Sequence, residues 1–183
     1  PILPTVEGGI VSICDCGANM DCKPVNLAQF AVMGSIYMET IMGIENPRIG
    51  LLNNGAEEHK GTPMHQEAYK LLQKAPINFI GNVEARDIPF GTADVLVADG
   101  FTGNVGLKLM EGVTDALLKN IKSIFMTNLK TKIAALMVKP QLGGFKKKMD
   151  TSEHGGAPLL GVNKPVIKAH GSCKASNIVS AVK

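Results

Sequence analysis

Aromatic residues are scarce in this 183-residue sequence, which has no Trp, two Tyr and six Phe. Long apolar runs are also missing: none approaches the roughly 18 residues that a membrane-spanning helix needs, and no basic start precedes an apolar stretch at the N-terminus. We therefore expect neither an exported nor an integral membrane protein. The apolar fraction of 45% and the charged fraction of 19% are typical of a globular chain with a buried core, which excludes disordered and collagen-like proteins.

Motifs of common cofactor sites are missing as well. Neither G-x-G-x-x-G nor a Walker sequence occurs, which argues against a dinucleotide or a P-loop nucleotide, and no G-x-S-x-G elbow indicates a covalent serine mechanism. Cys14, Cys16 and Cys22 lie within nine residues, but they lack the paired C-x2-C spacing of a zinc site and no His lies nearby. We expect free thiols, no metal and no cofactor.

Positive charge is concentrated in one segment. Between Lys119 and Lys148 the sequence has eight Lys and no Asp or Glu, whereas the remainder has 11 basic and 16 acidic residues. The formal net charge of +3 therefore hides a basic patch on an acidic body. Nucleic acid is not the expected partner, because the rest of the chain is acidic.

Strand-like and helix-like apolar patterns alternate along the chain. Asn26 lies where it would cap the first predicted helix. The predicted strands are residues 10–14, 48–53, 77–83, 93–99 and 166–170, and the predicted helices are 26–38, 64–73, 101–125 and 174–182. This alternation predicts a single α/β domain over residues 1–183, Rossmann-like and doubly wound, with a mainly parallel sheet and helices on both faces.

Residues 119–149 are predicted to form a basic helical arm within this domain. Apolar residues recur there at helical spacing with Lys between them, which predicts an amphipathic helix, and Pro140, Gly143 and Gly144 are expected to break it into a helical hairpin. The arm either packs on the core with a solvated Lys face or lies on an anionic membrane. The residues expected to contact the membrane are Leu129, Ile133, Leu136, Met137 and Lys139.

Polar, glycine-containing loops follow the predicted strands. In a doubly wound sheet, ligands bind beyond the carboxyl ends of the strands, where Gly lets backbone N–H groups turn toward an anion and a helix start adds its positive dipole end. Each loop alone is ordinary turn or cap chemistry, but five of them at one edge predict an anion-binding crevice. The candidate binding residues are Asn19, Asn53, Gly61, Asn82, Glu84, Arg86, Asp99, Thr102, Gly103 and Ser172.

Seven sequence motifs support a family resemblance. In chain order they are DCGANMD at 15–21, PRIGLLN at 47–53, KG at 60–61, GNVEARD at 81–87, DGFTGN at 99–104, GGAPLLG at 155–161 and HGS at 170–172. Together they resemble the bacterial phosphate acyltransferases of the PlsX family from end to end. Compared with that family the chain lacks the N-terminal third and the last residues, so we expect a fragment. Thr151 and His154 replace aromatic residues that the family usually has.

The resemblance implies an enzyme that moves a long-chain fatty acyl group from acyl carrier protein to inorganic phosphate for phospholipid synthesis. It also implies a homodimer without a cofactor that is cytoplasmic, associates peripherally with the membrane and delivers its product to a glycerol-3-phosphate acyltransferase. The catalytic residues it implies are Lys60, which would neutralise phosphate, Asn104, which would donate a hydrogen bond, and His170, which would protonate the leaving thiolate. Gly155 and Gly156 join the candidate binding residues through their motif.

Several alternatives stay open on the sequence alone. A phosphotransacetylase-like enzyme would perform the same acyl-to-phosphate chemistry with coenzyme A and a short acyl group, and a non-catalytic membrane-binding module would use the polar loops only as turns. Arg86 would alternatively pair with Glu84 or Asp87 in a structural role. The Lys residues of the arm would alternatively dock acyl carrier protein, which is acidic as a family.

Overall fold

The protein is described from a computed structural model, which covers residues 1–148 and 156–169 together with the single residues 175 and 179. Its strands are β1 (Ile2–Pro4), β2 (Ile10–Cys14), β3 (Arg48–Asn53), β4 (Asn78–Glu84), β5 (Val95–Val97), β6 (Ala157–Pro158) and β7 (Ile167–Lys168). Its helices are α1 (Pro24–Thr40), α2 (Pro63–Leu72), α3 (Gly100–Phe125) and α4 (Leu129–Lys148), with a 3-10 helix at Ala85–Phe90. The predicted helix at 174–182 lies outside the described residues, apart from two isolated positions.

Five strands form the central sheet in the order β1-β2-β5-β3-β4. The neighbours β2, β5, β3 and β4 run parallel, and β1 pairs antiparallel with β2 at one edge. The first four predicted strands are confirmed, whereas the sequence pattern does not predict β1. The carboxyl ends of the four parallel strands therefore meet at one edge of the sheet.

Each face of the sheet carries its own apolar layer. On one face α1 and α2 pack together over the strands, burying Leu27 of α1 against Leu51 of β3. On the other face Leu52 of β3 lies with Ile88 of the 3-10 helix and with the half-buried Leu107 of α3. Leu51 and Leu52 point to opposite faces because side chains alternate along a strand. Helices on both faces confirm the predicted doubly wound α/β architecture.

The start of α1 differs in detail from the prediction. Lys23 occupies the N-cap position, and Asn26 lies three residues inside the helix. The Asn26 side-chain oxygen accepts the backbone N–H of Lys23 at 2.9 Å, so it caps the helix from within. The helix starts earlier than predicted because Pro24 suits a first turn, where its missing N–H costs no hydrogen bond.

The predicted strand at 166–170 does not join the central sheet. Its described part, β7, pairs antiparallel with β6 in a separate two-stranded ribbon, with Lys168 opposite Ala157 and Ile167 opposite Pro158. The ribbon is closed by a hydrogen bond from the Leu159 N–H to the Val166 carbonyl at 2.8 Å. The strand is confirmed, but its expected place beside the other strands was wrong, because a short apolar run identifies a strand but not its partner.

The predicted break in the basic arm is also in the wrong place. α4 continues through Pro140, Gly143 and Gly144, and the chain turns instead before α4, where Asn128 and Thr131 cap its start. The Asn128 side chain accepts the Thr131 N–H at 3.0 Å, and the Thr131 hydroxyl accepts the Asn128 N–H at 3.1 Å. These reciprocal bonds satisfy N–H groups that would otherwise lack partners at a helix start, whereas Pro140 removes a single helical N–H.

The amphipathic character of the arm is weaker than predicted. α4 as a whole separates apolar from polar side chains poorly, because Val138 lies on the opposite side of the helix from Leu129 and Leu136. A narrower apolar stripe remains on α4. No helix among the described residues is long and apolar enough to cross a membrane.

Candidate active site

The carboxyl ends of the parallel strands bring four loops into one row. The spatial order places the loop after β2 beside the start of α3, then the loop after β3, and then the residues after β4. Neighbouring strands lie about 4.8 Å apart, so the two central loops are in direct reach of one small ligand. The residues after β4 lie at the far end of the row.

The start of α3 lies against the loop after β2 with no space for side chains between them. A Cβ added to Gly103 would lie 2.1 Å from the Asp15 carbonyl oxygen, and one added to Gly100 would lie 2.7 Å from the Asn19 carbonyl oxygen. The Gly100 N–H donates to that Asn19 oxygen at 2.7 Å. The two glycines therefore allow the loop and the helix start to form one continuous backbone surface.

Asp99 organises the first turn of α3. Its buried carboxylate accepts the N–H groups of Phe101 at 3.0 Å and Thr102 at 2.9 Å, and it accepts the Thr102 hydroxyl at 2.7 Å. Asp99 is thus the N-cap of the helix. Its acceptor groups are engaged by the helix, and so is the Thr102 hydroxyl that the sequence suggested as a ligand donor.

Asp15 has the same role in the loop after β2. Its carboxylate accepts the Asn19 N–H at 2.6 Å, the Asn19 side-chain amide at 3.0 Å and the Ala18 N–H at 3.2 Å, and it also accepts the Cys16 N–H. The loop is therefore wrapped around an acidic side chain. Asn19 contributes its side-chain donor to this loop.

Asn104 lies at the point where the two segments meet. A Cβ built on Gly17 would lie 3.8 Å from the Asn104 side-chain carbon Cγ and 3.9 Å from its Oδ1, and 3.7 Å from the Lys168 Nζ. Gly17 has φ +104°, which disfavours any other residue there. Asn104 and Lys168 are thus neighbours above one glycine, although the sequence pattern does not predict a role for Lys168.

The loop after β3 is held from below by two asparagines. The Asn53 side-chain amide donates to the Lys60 carbonyl at 3.2 Å and to the Asn82 side-chain oxygen at 3.1 Å, and the Asn82 amide donates to the Glu57 carbonyl at 2.7 Å. Each asparagine therefore donates one hydrogen bond to the backbone of the loop. This arrangement fixes the loop that carries Lys60, whose side chain is half-buried and packs over the buried Gly55.

Gly61 permits a tight contact between this loop and α2. It has φ +84°, and an added Cβ would lie 2.6 Å from the Asn53 Oδ1 and 2.8 Å from the His65 Cβ. His65 is half-buried, and its Nδ1 lies 2.8 Å from the Thr62 hydroxyl. Burial lowers the pKa of His65, against the opposing effect of the Asp99 carboxylate. His65 is a second residue beside the site that the sequence analysis did not single out.

Glu84 and Arg86 form an ion pair at the far end of the row, with 2.5 Å between Oε2 and the guanidinium. Arg86 is 80% exposed in this pair. Two strands, β5 and β3, separate β4 from β2, so this pair does not contact a ligand held beside Asn104. This ion pair agrees with the alternative in which Arg86 pairs with Glu84 in a structural role.

Burial suppresses thiol ionisation beside the site. It raises the pKa of Cys14 to about 11 and also raises the pKa of Cys16. The charges of Lys108 and Lys168 act in the opposite direction at Cys16. Both thiols are therefore protonated near neutral pH, and within the described residues no group of three His, Cys, Asp or Glu side chains is placed to hold a metal ion.

The remaining predicted residues are divided between described and undescribed positions. Gly155, His170 and Ser172 lie outside the described residues, whereas Gly156 lines a cleft between α1 and the β6–β7 ribbon. The predicted membrane residues all lie on α4, and all of them are exposed. Their exposed fractions are 74% for Leu129, 53% for Ile133, 70% for Leu136 and 74% for Met137, and Lys139 is exposed.

The arrangement as a whole suits an anion. Asn104, Lys168 and the N-terminal turn of α3 lie on one side, and the loop of Lys60 follows β3, the strand next to β5. His65 was missed because a lone His in a predicted helix gives no pattern. Lys168 was missed because its strand was assigned to the central sheet rather than to the ribbon.

Comparison with known proteins matches the chain to one family. A family model described as "Fatty acid synthesis protein" matches residues 1–183. A curated phosphate acyltransferase of Oceanobacillus iheyensis is 54% identical over the whole chain, and one of Bacillus cereus is 52% identical. The chain spans 55% and 56% of the length of these two relatives.

A solved structure shares the fold. The EutD phosphotransacetylase from Staphylococcus aureus aligns with a TM-score of 0.58 over 98% of this chain and 50% of its own, at 20% sequence identity. This likeness supports the α/β architecture. At this level of identity it shows the fold alone.

Proposed function

Since the chain belongs to the fatty acid synthesis protein family, we propose that it carries the acyl-transferring site of a phosphate acyltransferase that uses long-chain acyl carrier protein and inorganic phosphate. The curated relatives bear the name phosphate acyltransferase and match the entire chain. The observation that carries the proposal is the joint surface of the α3 start and the loop after β2, which presents Asn104 beside Lys168.

The proposed reaction is a direct attack of phosphate on a thioester. An oxygen of hydrogen phosphate forms a bond to the thioester carbonyl carbon, and the carbonyl oxygen takes up negative charge in a tetrahedral intermediate. The carbon–sulfur bond then breaks, and the proton of hydrogen phosphate ends on the departing phosphopantetheine sulfur. The products are acyl phosphate and the free thiol of acyl carrier protein, so no cofactor or redox partner is required.

This reaction needs donors fixed in place before charge develops. Fixed N–H groups and cations stabilise an oxyanion more than mobile water does, because they need no reorganisation during the reaction. Asp99 holds the first turn of α3 through three hydrogen bonds, and Asp15 holds the adjoining loop. We assign to Asn104 the role of donor to phosphate or to the oxyanion.

Lys60 is proposed to neutralise the phosphate. Its loop is fixed by Asn53 and Asn82 and follows β3, the strand next to β5, and its side chain is half-buried. The Asn53, Asn82 and Gly61 positions then act by shaping this loop. His170 is proposed to protonate the departing thiolate, as the family motif implies, and to regain its proton from the hydrogen phosphate.

A thioester assay with a matched variant tests the function. We expect the chain to release thiol from palmitoyl-acyl carrier protein only when phosphate is present, and Lys60→Ala to lower kcat/KM about 100-fold, as loss of one charge-stabilising group does. Lys74→Ala, at a surface position after α2, is the control and is expected to change nothing. Equal rates for both variants would remove Lys60 from the site.

The same assay with a second thioester separates the rival enzyme. A phosphotransacetylase-like activity would release thiol from acetyl-coenzyme A faster than from palmitoyl-acyl carrier protein. We expect the reverse order. A module without catalytic function would release thiol from neither substrate while still binding vesicles.

Membrane association is proposed to occur through α4. Leu129, Ile133, Leu136 and Met137 share one side of the helix and are largely exposed. Lys139 lies beside this stripe, where its charge would meet anionic headgroups. The apolar stripe supports the lipid surface over acyl carrier protein as the partner of the arm.

Vesicle pelleting tests the membrane proposal. Leu136→Glu places a charge in the stripe and is expected to abolish pelleting with vesicles that contain phosphatidylglycerol. Ala135→Glu places the same charge on another side of the helix and is expected to retain most of the binding. Pelleting that Leu136→Glu leaves unchanged would contradict the proposal.

A homodimer is proposed from the exposed side of α3. An apolar row at four-residue spacing runs along this helix, and large apolar patches of this kind mark interfaces. The row comprises Phe101, Val105, Leu109, Val113, Leu117 and Ile121. Sedimentation of the unaltered chain should show a dimer. Leu109→Asp should dissociate this dimer, whereas Asp115→Lys, on another side of α3, should leave it intact. A monomeric unaltered chain would contradict the proposal.

A further inference from the structure

The β6–β7 ribbon lies over α1 and brings one cation to the crevice. A Cβ added to Gly161, in the turn of the ribbon, would lie 3.0 Å from the Met33 Sδ of α1. Lys168 stands on β7, and its Nζ reaches to 3.7 Å from the Cβ position of Gly17. The ribbon therefore connects the apolar surface of α1 with the polar loop after β2.

A cleft runs between these elements and has two chemically different ends. Phe30 and Met33 of α1 form one wall, and Pro158 and Leu159 of the ribbon form the other. Its polar end is formed by the loop after β2, with the ammonium of Lys168. An apolar wall that ends at a cation fits a molecule with a hydrocarbon chain and an anionic head.

The Lys168 charge is available to such a head group within the described residues. Lys168 makes no ion pair there, and the carboxylate of Asp15, which also lines the cleft, is turned onto the N–H groups of its own loop. The Asn104 side chain lies on the same glycine. A cation and an amide that converge from two separate elements form a seat for phosphate oxygens.

We propose that Lys168 binds the phosphate group of the acyl phosphate, with the carbons next to that group lying in the cleft between α1 and the β6–β7 ribbon. This assignment rests on the proposed function and deepens it, because it adds a second cation that is distinct from Lys60. The acyl chain leaves the crevice on the β2 side of the sheet, between Met33 and Leu159. The product is thus held by its phosphate group and by the carbons next to that group.

Calorimetric titration of the 183-residue chain tests the assignment without turnover. The probes are hexyl phosphate, inorganic phosphate and hexanol, and the variants are Lys168→Ala, Lys168→Arg and Leu159→Ala. Lys164→Ala removes an exposed cation from the same ribbon and is the control. Pro1 also lines the cleft and is the same in every variant, so it cancels from every comparison.

The two ends of the probe should respond to different substitutions. We expect Lys168→Ala to weaken both phosphates about tenfold, the effect of one charge-assisted hydrogen bond, while Lys168→Arg stays within about threefold of the unaltered chain. Leu159→Ala should weaken hexyl phosphate about fivefold and leave inorganic phosphate unchanged. Lys164→Ala should bind all three probes as tightly as the unaltered chain does. Lys168→Ala should bind hexanol as tightly as the unaltered chain does.

Opposite results would overturn the assignment. If Lys168→Ala and Lys164→Ala bind phosphate equally tightly, Lys168 does not bind the phosphate group. If hexyl phosphate binds no more tightly than inorganic phosphate, the cleft does not hold the hydrocarbon chain. Failure of the proposed function is a separate result. If the chain binds hexyl phosphate through Lys168 but transfers no acyl group, the binding site stands and the proposed function fails. If the chain transfers acyl groups but Lys168→Ala binds phosphate as tightly as before, the proposed function stands and the role of Lys168 fails.

Discussion

Gly103 and Asp15 approach so closely that an added Cβ on Gly103 would lie 2.1 Å from the Asp15 carbonyl oxygen. Gly103 is in the first turn of α3, and Asp15 opens the loop after β2. This contact places Asn104 beside the loop, so the geometry of the candidate site depends on the absence of a single methyl group.

The Gly103→Ala substitution should therefore separate α3 from the loop. We expect a loss of about 2 kcal/mol in the free energy of unfolding, because the obstacle is backbone rather than a flexible side chain, together with loss of acyl transfer. Urea unfolding measures the first effect and the thioester assay the second. Gly106→Ala is the matched control, since its added Cβ meets nothing within 4 Å, and it should stabilise the helix by about 0.5–1 kcal/mol. Similar behaviour of the two variants would contradict the contact.

Removing the charge of Asp99 should loosen the start of α3. Asn at this position keeps one acceptor oxygen but cannot accept all three hydrogen bonds that Asp99 receives. We expect Asp99→Asn to lower the free energy of unfolding by about 1–2 kcal/mol and to lower kcat more than KM is raised. Asp115→Asn, an exposed carboxylate later in the same helix, should change neither quantity. A fully active Asp99→Asn variant would show that the cap does not position the site.

Acid should weaken the fold through the ion pair of Arg48 and Asp94. Burial alone would favour the protonated carboxyl, but three hydrogen bonds from Arg48 and its charge lower the pKa of Asp94. Because the folded pKa lies below the unfolded value of about 3.9, the pair stabilises the fold above that pH and its contribution disappears as the pH falls through the folded value.

A substitution isolates this contribution. We expect Asp94→Asn to cost about 1 kcal/mol near neutral pH, and the cost should shrink toward zero in acid, where the unaltered carboxyl is protonated too. Urea unfolding at several pH values measures both. Glu45→Gln replaces an exposed carboxylate in the turn before β3 and is the control. Its cost in unfolding free energy should not change in this way with pH. A cost for Asp94→Asn that does not depend on pH would contradict the ionic origin.

Cys14 should be the slowest described thiol to react. Burial raises its pKa to about 11, and the thiolate is the reactive form. We expect Cys22, which is less buried, to be alkylated by iodoacetamide well before Cys14 near neutral pH. Peptide mass spectrometry at successive times measures the order. Labelling of Cys14 at the rate of Cys22 in the folded chain would contradict the buried, protonated state.

Local sequence patterns predicted most of the central fold. The strands at 10–14 and 48–53 are confirmed with the same boundaries, because buried parallel strands are continuous apolar runs that differ clearly from helices. β1 was missed because only its antiparallel pairing with β2 makes Ile2–Pro4 a strand. The turn before α4 could have been predicted from the sequence, since Asn128 and Thr131 have the spacing of reciprocal caps. The break was placed at Pro140 instead, because Pro usually interrupts a helix.

The site was predictable in its location but not in its contacts. The polar loops had to converge once the strands were parallel, so Asn104 and Lys60 were reasonable candidates. Which donors are already engaged depends on tertiary hydrogen bonds, as Asn53 and Asn82 show. Lys168 reaches the crevice only because the β6–β7 ribbon folds over α1, which no local pattern encodes.

The most direct test of the proposed activity follows both products of the reaction at once. The chain is incubated with palmitoyl-acyl carrier protein and inorganic phosphate, free thiol is measured with a chromogenic disulfide, and acyl phosphate is measured by phosphorus NMR. The account predicts that thiol and acyl phosphate appear in equal amounts and that both vanish when phosphate is omitted. Thiol release that continues without phosphate, or no release by the folded chain, would contradict it.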